Sequence, residues 1–393
     1  MKKYIVGVGM GVDTLTAAAE KVIKNSDALI GAERMLKPFQ ALGKVMFQSY
    51  DCSEICRFIA DFKGDSAAVL VSGDVGFFSL AKKLLQFPEF YDAELICGIS
   101  TPVYFCSKIN RDIEKMKLIS LHGNDCGIAV NVRQNRNCCF ILGGKINAVE
   151  LCRRLTDYGL GDVKVWIGEN FGCENERIRF GTAAEFIDVQ CEKLAAVITE
   201  NSGKTDCQTA CISDDRFIRS EIPMTKAEIR CIALAELNIQ SDNICWDIGS
   251  GSGSVTVEMA LKCHDGMVWS IDKFPEAVEL TKKNCHKFSC DNVIVKSGVF
   301  PEIEPFAKPD CVFVGGSGGR LDEILNAAYN ANPAVKIVVT AVSLETISDA
   351  SKIMERLGMQ VEITQIAVTR TRKIGKNTMF NALNPIFIIR GEV

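Results

Sequence analysis

The chain has 393 residues, 47% of them hydrophobic and 24% charged, with a formal net charge of −4. This is the composition of an ordinary globular protein long enough for two cores, which excludes a fibrous or disordered chain. The mild acidity argues against a general nucleic-acid binder, and no apolar run approaches the roughly 20 residues of a membrane-spanning helix.

Tyr4–Val8 reads as a short apolar strand entering the loop Gly9-Met-Gly11-Val-Asp13, and helical periodicity then runs from Leu15 to Lys24 with Thr14 as N-cap. Strands are expected at Ala28–Gly31 and Ala67–Ser72, the second ending on Gly73-Asp74 before a helix from Ser79 to Gln86. Glu94–Gly98 leads through Ile99-Ser100-Thr101-Pro102 into another helix, and Lys117–Gly123 closes a first lobe. A second lobe holds strands at Cys138–Leu142, Val163–Ile167 and Leu194–Thr199, with a helix from Asn147 to Tyr158. This alternation predicts an α/β architecture with largely parallel sheets. Phe77, Phe78, Phe105 and Trp246 are expected in the core, and His264 and His286 in solvent. The opening residues show no export pattern, so a cytoplasmic location is expected.

Glu200–Ile222 is polar, lacks periodicity and ends at Pro223, which predicts a linker over 200–222 between domains at 1–199 and 223–393. A helix opens near Met224, where Thr225 and Glu228 match a capping box. Strands follow at 244–247, 267–271, 292–296, 310–314 and 335–340, separated by helical segments, as in a doubly wound sheet. Two last strands, near 361–369 and 385–390, are expected to pair antiparallel at an edge. The acid-free stretch from Ile363 to Gly391 carries Arg370, Arg372, Lys373, Lys376 and Arg390, which suits an anionic partner or a solvated basic face.

Eighteen cysteines occur without a single C-x-x-C, many inside apolar runs (Cys97, Cys106, Cys231, Cys245, Cys311). Buried, reduced thiols are therefore expected, with no bound metal and no disulfide framework. So many thiols favour an anaerobic host.

The most informative stretch is Ile244-Cys-Trp-Asp247-Ile-Gly249-Ser250-Gly251-Ser-Gly253-Ser-Val255, an apolar strand running into a glycine-dense turn and then a helix. The next apolar run, Met267–Ile271, ends on Asp272. Glycines let backbone approach a ligand, a helix N-terminus adds partial positive charge, and an acid ending the next strand accepts hydrogen bonds from a ribose diol. The G-x-G-x-G spacing departs from the dinucleotide fingerprint, though a dinucleotide stays open as the alternative. The fourth strand ends in Val314-Gly315-Gly-Ser-Gly318-Gly319, without the Asn/Asp-Pro-Pro-aromatic signature of amine methylation. Bare glycines there leave room for a large flat substrate, or mark a tight turn. Asn384-Pro385-Ile386-Phe387 looks like that signature but opens the last strand, and reads as structural.

The turn at 247–253 resembles motif I of the class I methyltransferases, which bind S-adenosylmethionine. Pro223–Arg230, Trp246–Ser254, Val314–Gly319 and Thr340–Thr346 together resemble the cobalamin-pathway methyltransferases that act on carbon 15 of the corrin precursor and decarboxylate the neighbouring acetate. In the first half, Val6–Gly11, Ser72–Phe77, Gly98–Thr101 and Ser120–Gly123 are similar to the tetrapyrrole methylases, most closely those acting on carbon 5.

The resemblance implies an N-terminal two-lobed tetrapyrrole methylase fold and a C-terminal doubly wound, Rossmann-like class I domain. It implies one S-adenosylmethionine per domain, methylation at C5 and C15, and loss of carbon dioxide from the ring C acetate. The donor contacts it implies are Gly7, Gly9, Gly11, Gly73, Asp74, Ser100 and Thr101 in the first domain. In the second they are Thr225, Asp247, Gly249, Ser250, Gly251, Gly253, Asp272, Gly298 and Gly315. Asp74 reads equally well as a loop-capping carboxylate. Glu345 and His122 are the candidate catalytic residues, each with a plainer reading: a helix-start acid and a strand-end turn histidine. An anionic tetrapyrrole would meet Arg219, Lys226, Arg230, Arg370, Arg372 and Lys373, with Gly318 and Gly319 beneath it. Neither nucleic acid nor membrane is an expected partner, and a homo-oligomer is expected. Two other readings stay open: an RNA methyltransferase with an accessory N-terminal module, and a regulator that senses S-adenosylmethionine.

Overall fold

The computed structural model describes residues 1–121, 127–143, 146–203, 209–303 and 307–393. The chain divides into two compact units. The first comprises Met1–Asn124, Asn137–Leu151 and Lys164–Glu200, and the second Asp125–Arg136, Cys152–Val163 and Asn201–Val393.

In the first unit, strands β1 (Lys2–Gly7), β2 (Ala28–Gly31), β3 (Val45–Gln48), β4 (Ser66–Val71) and β5 (Glu94–Ile96) form one sheet in the order β3-β2-β4-β1-β5. All its pairings are parallel. The central strand β4 is buried from Ala67 to Val71, the continuous apolar run that a sheet covered on both faces requires. The first helix spans Ala17–Asn25, and its N-cap is Thr16, whose hydroxyl accepts the Ala19 N–H. Thr14, expected in that role, instead accepts the Met10 N–H and donates to the Gly11 carbonyl, pinning the glycine loop. The helix expected at Ser79–Gln86 contracts to Ala81–Leu84. Phe105 is fully buried, whereas Phe78 stands 62% exposed, its ring packed edge-on against Phe77.

A second sheet of this unit takes the order β6-β7-β10-β8-β9, from β6 (Lys117–Ser120), β7 (Asn137–Ile141), β8 (Lys164–Glu169), β9 (Arg177–Thr182) and β10 (Ala195–Glu200). Here the expectation of largely parallel pairing fails: only β6 and β7 run parallel. The link from β8 to β9 is a short turn, and a parallel crossover needs a dozen or more residues.

The second unit is built on β11 (Ile244–Ile248), β12 (Met267–Asp272), β13 (Val293–Ser297), β14 (Cys311–Val314), β15 (Lys336–Ala341), β16 (Gln360–Ile366) and β19 (Ile386–Glu392). Their order is β13-β12-β11-β14-β15-β19-β16, parallel throughout except at β19, which lies antiparallel between β15 and β16. Apolar clusters on both faces, one around Phe313 and Val257 and one around Ile337 and Met354, complete a doubly wound α/β layer. The basic segment folds into its own hairpin, β17 (Thr369–Ile374) with β18 (Asn377–Ala382). Trp246 is buried and its indole N–H donates to the Ala307 carbonyl.

Ile212 and Phe217, within the stretch read as a linker, are buried in this core, and Glu258 accepts the Cys211 and Ile212 N–H groups. Cys211 and Cys231 form a disulfide, a departure from the expectation of reduced thiols throughout; the two come together because that stretch packs on the helix carrying Cys231. That helix begins at Ala227 with Lys226 as N-cap and no side-chain cap. The expected capping box is absent, because the Glu228 carboxylate turns to Arg370. Among the described residues no helix is long and apolar enough to cross a membrane, and no cluster of three or more metal-ligating side chains occurs.

Candidate active site

Between β11 and β14 the chain order reverses, and the strand ends there open into a cavity of about 1110 Å³. Open α/β sheets bind ligands at such a reversal. Gly249, Gly251 and Gly253 carry φ angles of +76°, +54° and +74°, backbone that side-chain-bearing residues rarely adopt. A Cβ on Gly249 would sit 2.6 Å from the Gly316 carbonyl oxygen, so the turn after β11 and the loop after β14 pack backbone on backbone. Asp272 ends β12 at the cavity wall, where its carboxylate accepts the Gly251 N–H at 2.8 Å and the Phe274 N–H at 3.0 Å. One acid thereby fixes the glycine turn and faces the space above it.

Of the residues expected in this unit, Thr225, Lys226, Gly249, Ser250, Gly251, Asp272, Gly298, Gly315 and Gly318 line the cavity. Asp247 does not. It is fully buried under the turn, one oxygen accepting from Thr256 and the other without a hydrogen-bond partner among the described residues. Burial pushes its carboxyl up to about 7 against the lowering effect of Thr256, and the charge of Asp272 raises it further. Asp247 therefore supports the turn from below, as does Gly253, where a Cβ would meet Thr281 Cα at 2.7 Å.

The expected carboxylate clamp is largely dispersed. Arg230 is fully buried: it pairs with Glu258 at 2.9 Å and Asp214 at 3.0 Å, and donates to the carbonyls of Thr225 and Ile212. It holds the wall that presents Thr225 and cannot reach a substrate. Arg370 forks onto Glu228, at 2.9 Å from Nε, with a further contact to Asp214, and this pairing lowers the Glu228 carboxyl. Arg219 is exposed and outside the lining; Arg372 and Lys373 are exposed on the β17–β18 hairpin, also outside it. Glu345 is an exposed first-turn acid of the helix Leu344–Arg356 and does not line the cavity either. Gly319 adjoins the lining residue Gly318.

Sequence reasoning overlooked Lys273 and Phe274, which follow Asp272 directly, and Asn384, read as structural but part of the lining. Their signal was position alone: one or two residues past a strand end, or two before the strand that pairs with β15.

In the first unit the expected glycines converge beyond β1, β4 and β5. Gly9 and Gly73 exchange backbone hydrogen bonds of 3.1 and 3.0 Å. A Cβ on Gly7 would stand 2.8 Å from the Gly98 nitrogen, and one on Gly73 would stand 3.8 Å from Ser100 Cα. Asp74 accepts the N–H groups of Gly76 and Gly98 at 2.8 and 2.9 Å, which is loop capping. Thr101 donates to the Met10 sulfur at 3.6 Å, and a Cβ on Gly11 would lie 3.2 Å from the Gly172 carbonyl. His122 lies outside the described residues.

Residues 216–391 match the precorrin methyltransferase domain, and residues 2–187 the tetrapyrrole (corrin/porphyrin) methylases. A probable cobalt-precorrin-6B C(15)-methyltransferase (decarboxylating) of Pyrobaculum calidifontis is 41% identical over 182 residues, which is 45% of this chain and 93% of that protein. The chain belongs to the precorrin methyltransferases. A second relative so named, from Methanothermobacter thermautotrophicus, is 35% identical over 183 residues, 45% of this chain and 94% of its own. A solved precorrin-6y C5,15-methyltransferase of Geobacter metallireducens is 34% identical, covering 47% of this chain and 98% of that one, with a TM-score of 0.45.

Precorrin methyltransferases use S-adenosylmethionine as methyl donor, and the second-unit site fits it. Asp272 lines the cavity, the Phe274 ring is 57% exposed beside it, and a Cβ on Gly316 would meet nothing within 4 Å, so the space above the platform is open.

Proposed function

We propose that this precorrin methyltransferase is bifunctional. Residues 1–199 methylate C5 of an anionic (cobalt-)precorrin, and residues 223–393 methylate C15 and decarboxylate the ring C acetate, with 200–222 between them. Each unit takes one S-adenosylmethionine. The cobalt-precorrin names of the curated relatives support a ring that carries cobalt. We place the enzyme in the cytoplasm as a homo-oligomer, acting on a small molecule and not on nucleic acid or membrane.

The observation that carries this reading is the size and make-up of the second-unit cavity. At about 1110 Å³ it exceeds the range of roughly 300–1,000 Å³ usual for one drug-sized ligand, leaving room for a donor and a macrocycle together. The bound donor supplies an already activated methyl group on a sulfonium, so the protein needs no covalent nucleophile. Its own work is alignment and exclusion of water. Asp272 accepts from the ribose hydroxyls and the glycine turn lets backbone N–H groups approach. The bare platform Gly315–Gly318 lets a flat ring lie close above it. Lys226, which lines the cavity and pairs with no acid among the described residues, receives a peripheral carboxylate. In the first unit, the interlocked Gly7, Gly9, Gly73 and Gly98 keep the loop backbone close enough for a second donor.

Calorimetric titration of the full chain with S-adenosylmethionine tests this directly. Two molecules should bind per chain, and Asp272→Ala should remove one. A single site in the unaltered chain would overturn the two-centre reading.

A further inference from the structure

Three cationic side chains line the second-unit cavity: Lys226, Lys273 and Arg320. Arg320 is already committed, its Nε donating to Glu323 at 3.0 Å and its guanidinium pairing with Glu302 at 2.5 Å. Lys273 is not. It pairs with no acid among the described residues, although Glu221, Asp272 and Glu276 share the lining. Asp272, its neighbour in the chain, has its two oxygens on the Gly251 and Phe274 N–H groups. The Lys273 ammonium stands 4.9 Å from the centroid of the Phe274 ring, a contact that steadies the side chain and leaves its charge uncompensated. Its place in the site is specific: a Cβ on Gly318 would lie 3.7 Å from Lys273 Nζ. Lys273 follows β12 and Gly318 follows β14, with β11 between those strands in the sheet. The ammonium thus stands between the acid-tipped strand and the glycine platform.

We infer that Lys273 receives a side-chain carboxylate of the ring at the rim of the platform, beside Gly318. The inference rests on the reading of the site given above and adds a substrate-binding residue to it. A bound ring displaces water from the cavity, and an ammonium left there without an anion loses solvation that nothing replaces. A ring fringed with carboxylates supplies that anion, and the charge-assisted contact strengthens as the surroundings dry. Lysine suits the task because it is a compact point charge on a flexible stem, able to follow a carboxylate that itself swings on a short chain. The donor also carries a carboxylate, on its methionyl tail, and offers the same chemistry from a second source. The reach of Lys273 to Gly318 favours the ring, because that glycine belongs to the platform and not to the turn after β11.

Steady-state kinetics of the full chain with reduced precorrin and a donor carrying a 13C-labelled methyl group, the label located by NMR, separate the two sources when set beside calorimetry with S-adenosylmethionine. Lys273→Gln should raise KM for the ring in C15 methylation by about tenfold or more, with the effect on KM rather than kcat, because the contact is made before methyl transfer as well as during it. Lys273→Arg should restore most of that loss and Lys273→Glu should deepen it. Donor affinity and C5 methylation should stay as they are in the unaltered chain. Lys273 is exposed, so these replacements leave the core untouched. An unaltered KM for the ring in Lys273→Gln, or a loss confined to donor affinity, overturns the inference and leaves the function standing. An unaltered chain that transfers no methyl group to C15 overturns both.

Discussion

Asp247 and Asp272 end neighbouring strands and do opposite work. Asp272 is held by two backbone N–H groups, and under the proposed function its replacement by alanine removes an acceptor for the donor as well as a tether for the turn. Donor affinity in the second unit should fall by about 1.5–3 kcal/mol, read by calorimetry. Asp247 sits dry beneath the turn, with a carboxyl at about 7 in the folded chain against an ordinary value of 3.8. Between those values the folded chain keeps a proton that the unfolded chain has lost. Its contribution to stability is therefore complete below about 3.8 and is lost as pH rises through about 7. Asp247→Asn should flatten that fall: urea midpoints from pH 4 to 8 should decline more steeply for the unaltered chain, and parallel curves would refute the assignment. Arg230 shows what a sequence conceals at this scale. A basic residue near a pocket motif reads as a substrate clamp, but its partner Glu258 is 28 residues away and nothing local announces the pair. Arg230→Ala should cost about 3–5 kcal/mol of stability by stranding that buried carboxylate. Arg370→Ala, on a pair 40% and 38% exposed, should cost about 1 kcal/mol or less in the same denaturation measurement.

Elements were legible in proportion to how simply they bury. The strands β11, β12, β14 and β15 are covered on both faces, so they appear as mainly apolar runs and their positions could be read from the sequence. β9 alternates arginine with Ile178 and Phe180 on a half-exposed surface, a weaker pattern that escaped notice. Every residue from Arg372 to Asn381 is exposed, so the β17–β18 hairpin offers no periodicity to read. Backbone crossings are equally silent, since they need glycine without advertising why. Gly98 is the sharpest instance: a Cβ there would lie 2.2 Å from the Gly73 carbonyl oxygen and 2.7 Å from the Gly7 carbonyl carbon. Neither neighbour is a side chain that can swing aside. Gly98→Ala should therefore push β1, β4 and β5 loops apart and lower C5 methylation far more than C15 methylation, assayed on one sample by product mass. Equal losses would place the glycines outside the donor site.

On the scale of the whole molecule, two unrelated glycine-based loop arrangements occur in one chain, and the proposed function gives a methyl donor to each. One unit interlocks three loops around glycine crossings, and the other sets a glycine turn against an acid-tipped strand. The second was readable because its motif is continuous in sequence, and the first only because four short motifs occur in order. What sequence could not supply was the assembly of the second cavity, whose lining is gathered from the helix start at Ala227, the ends of β11, β12, β14 and β15, and the start of β19. Mass analysis of the product formed by the full chain from S-adenosylmethionine and a reduced precorrin tests the account most directly. Two methyl groups gained and one carbon dioxide lost per ring is the expected result. A product with a single added methyl group and all its carboxylates intact would contradict it.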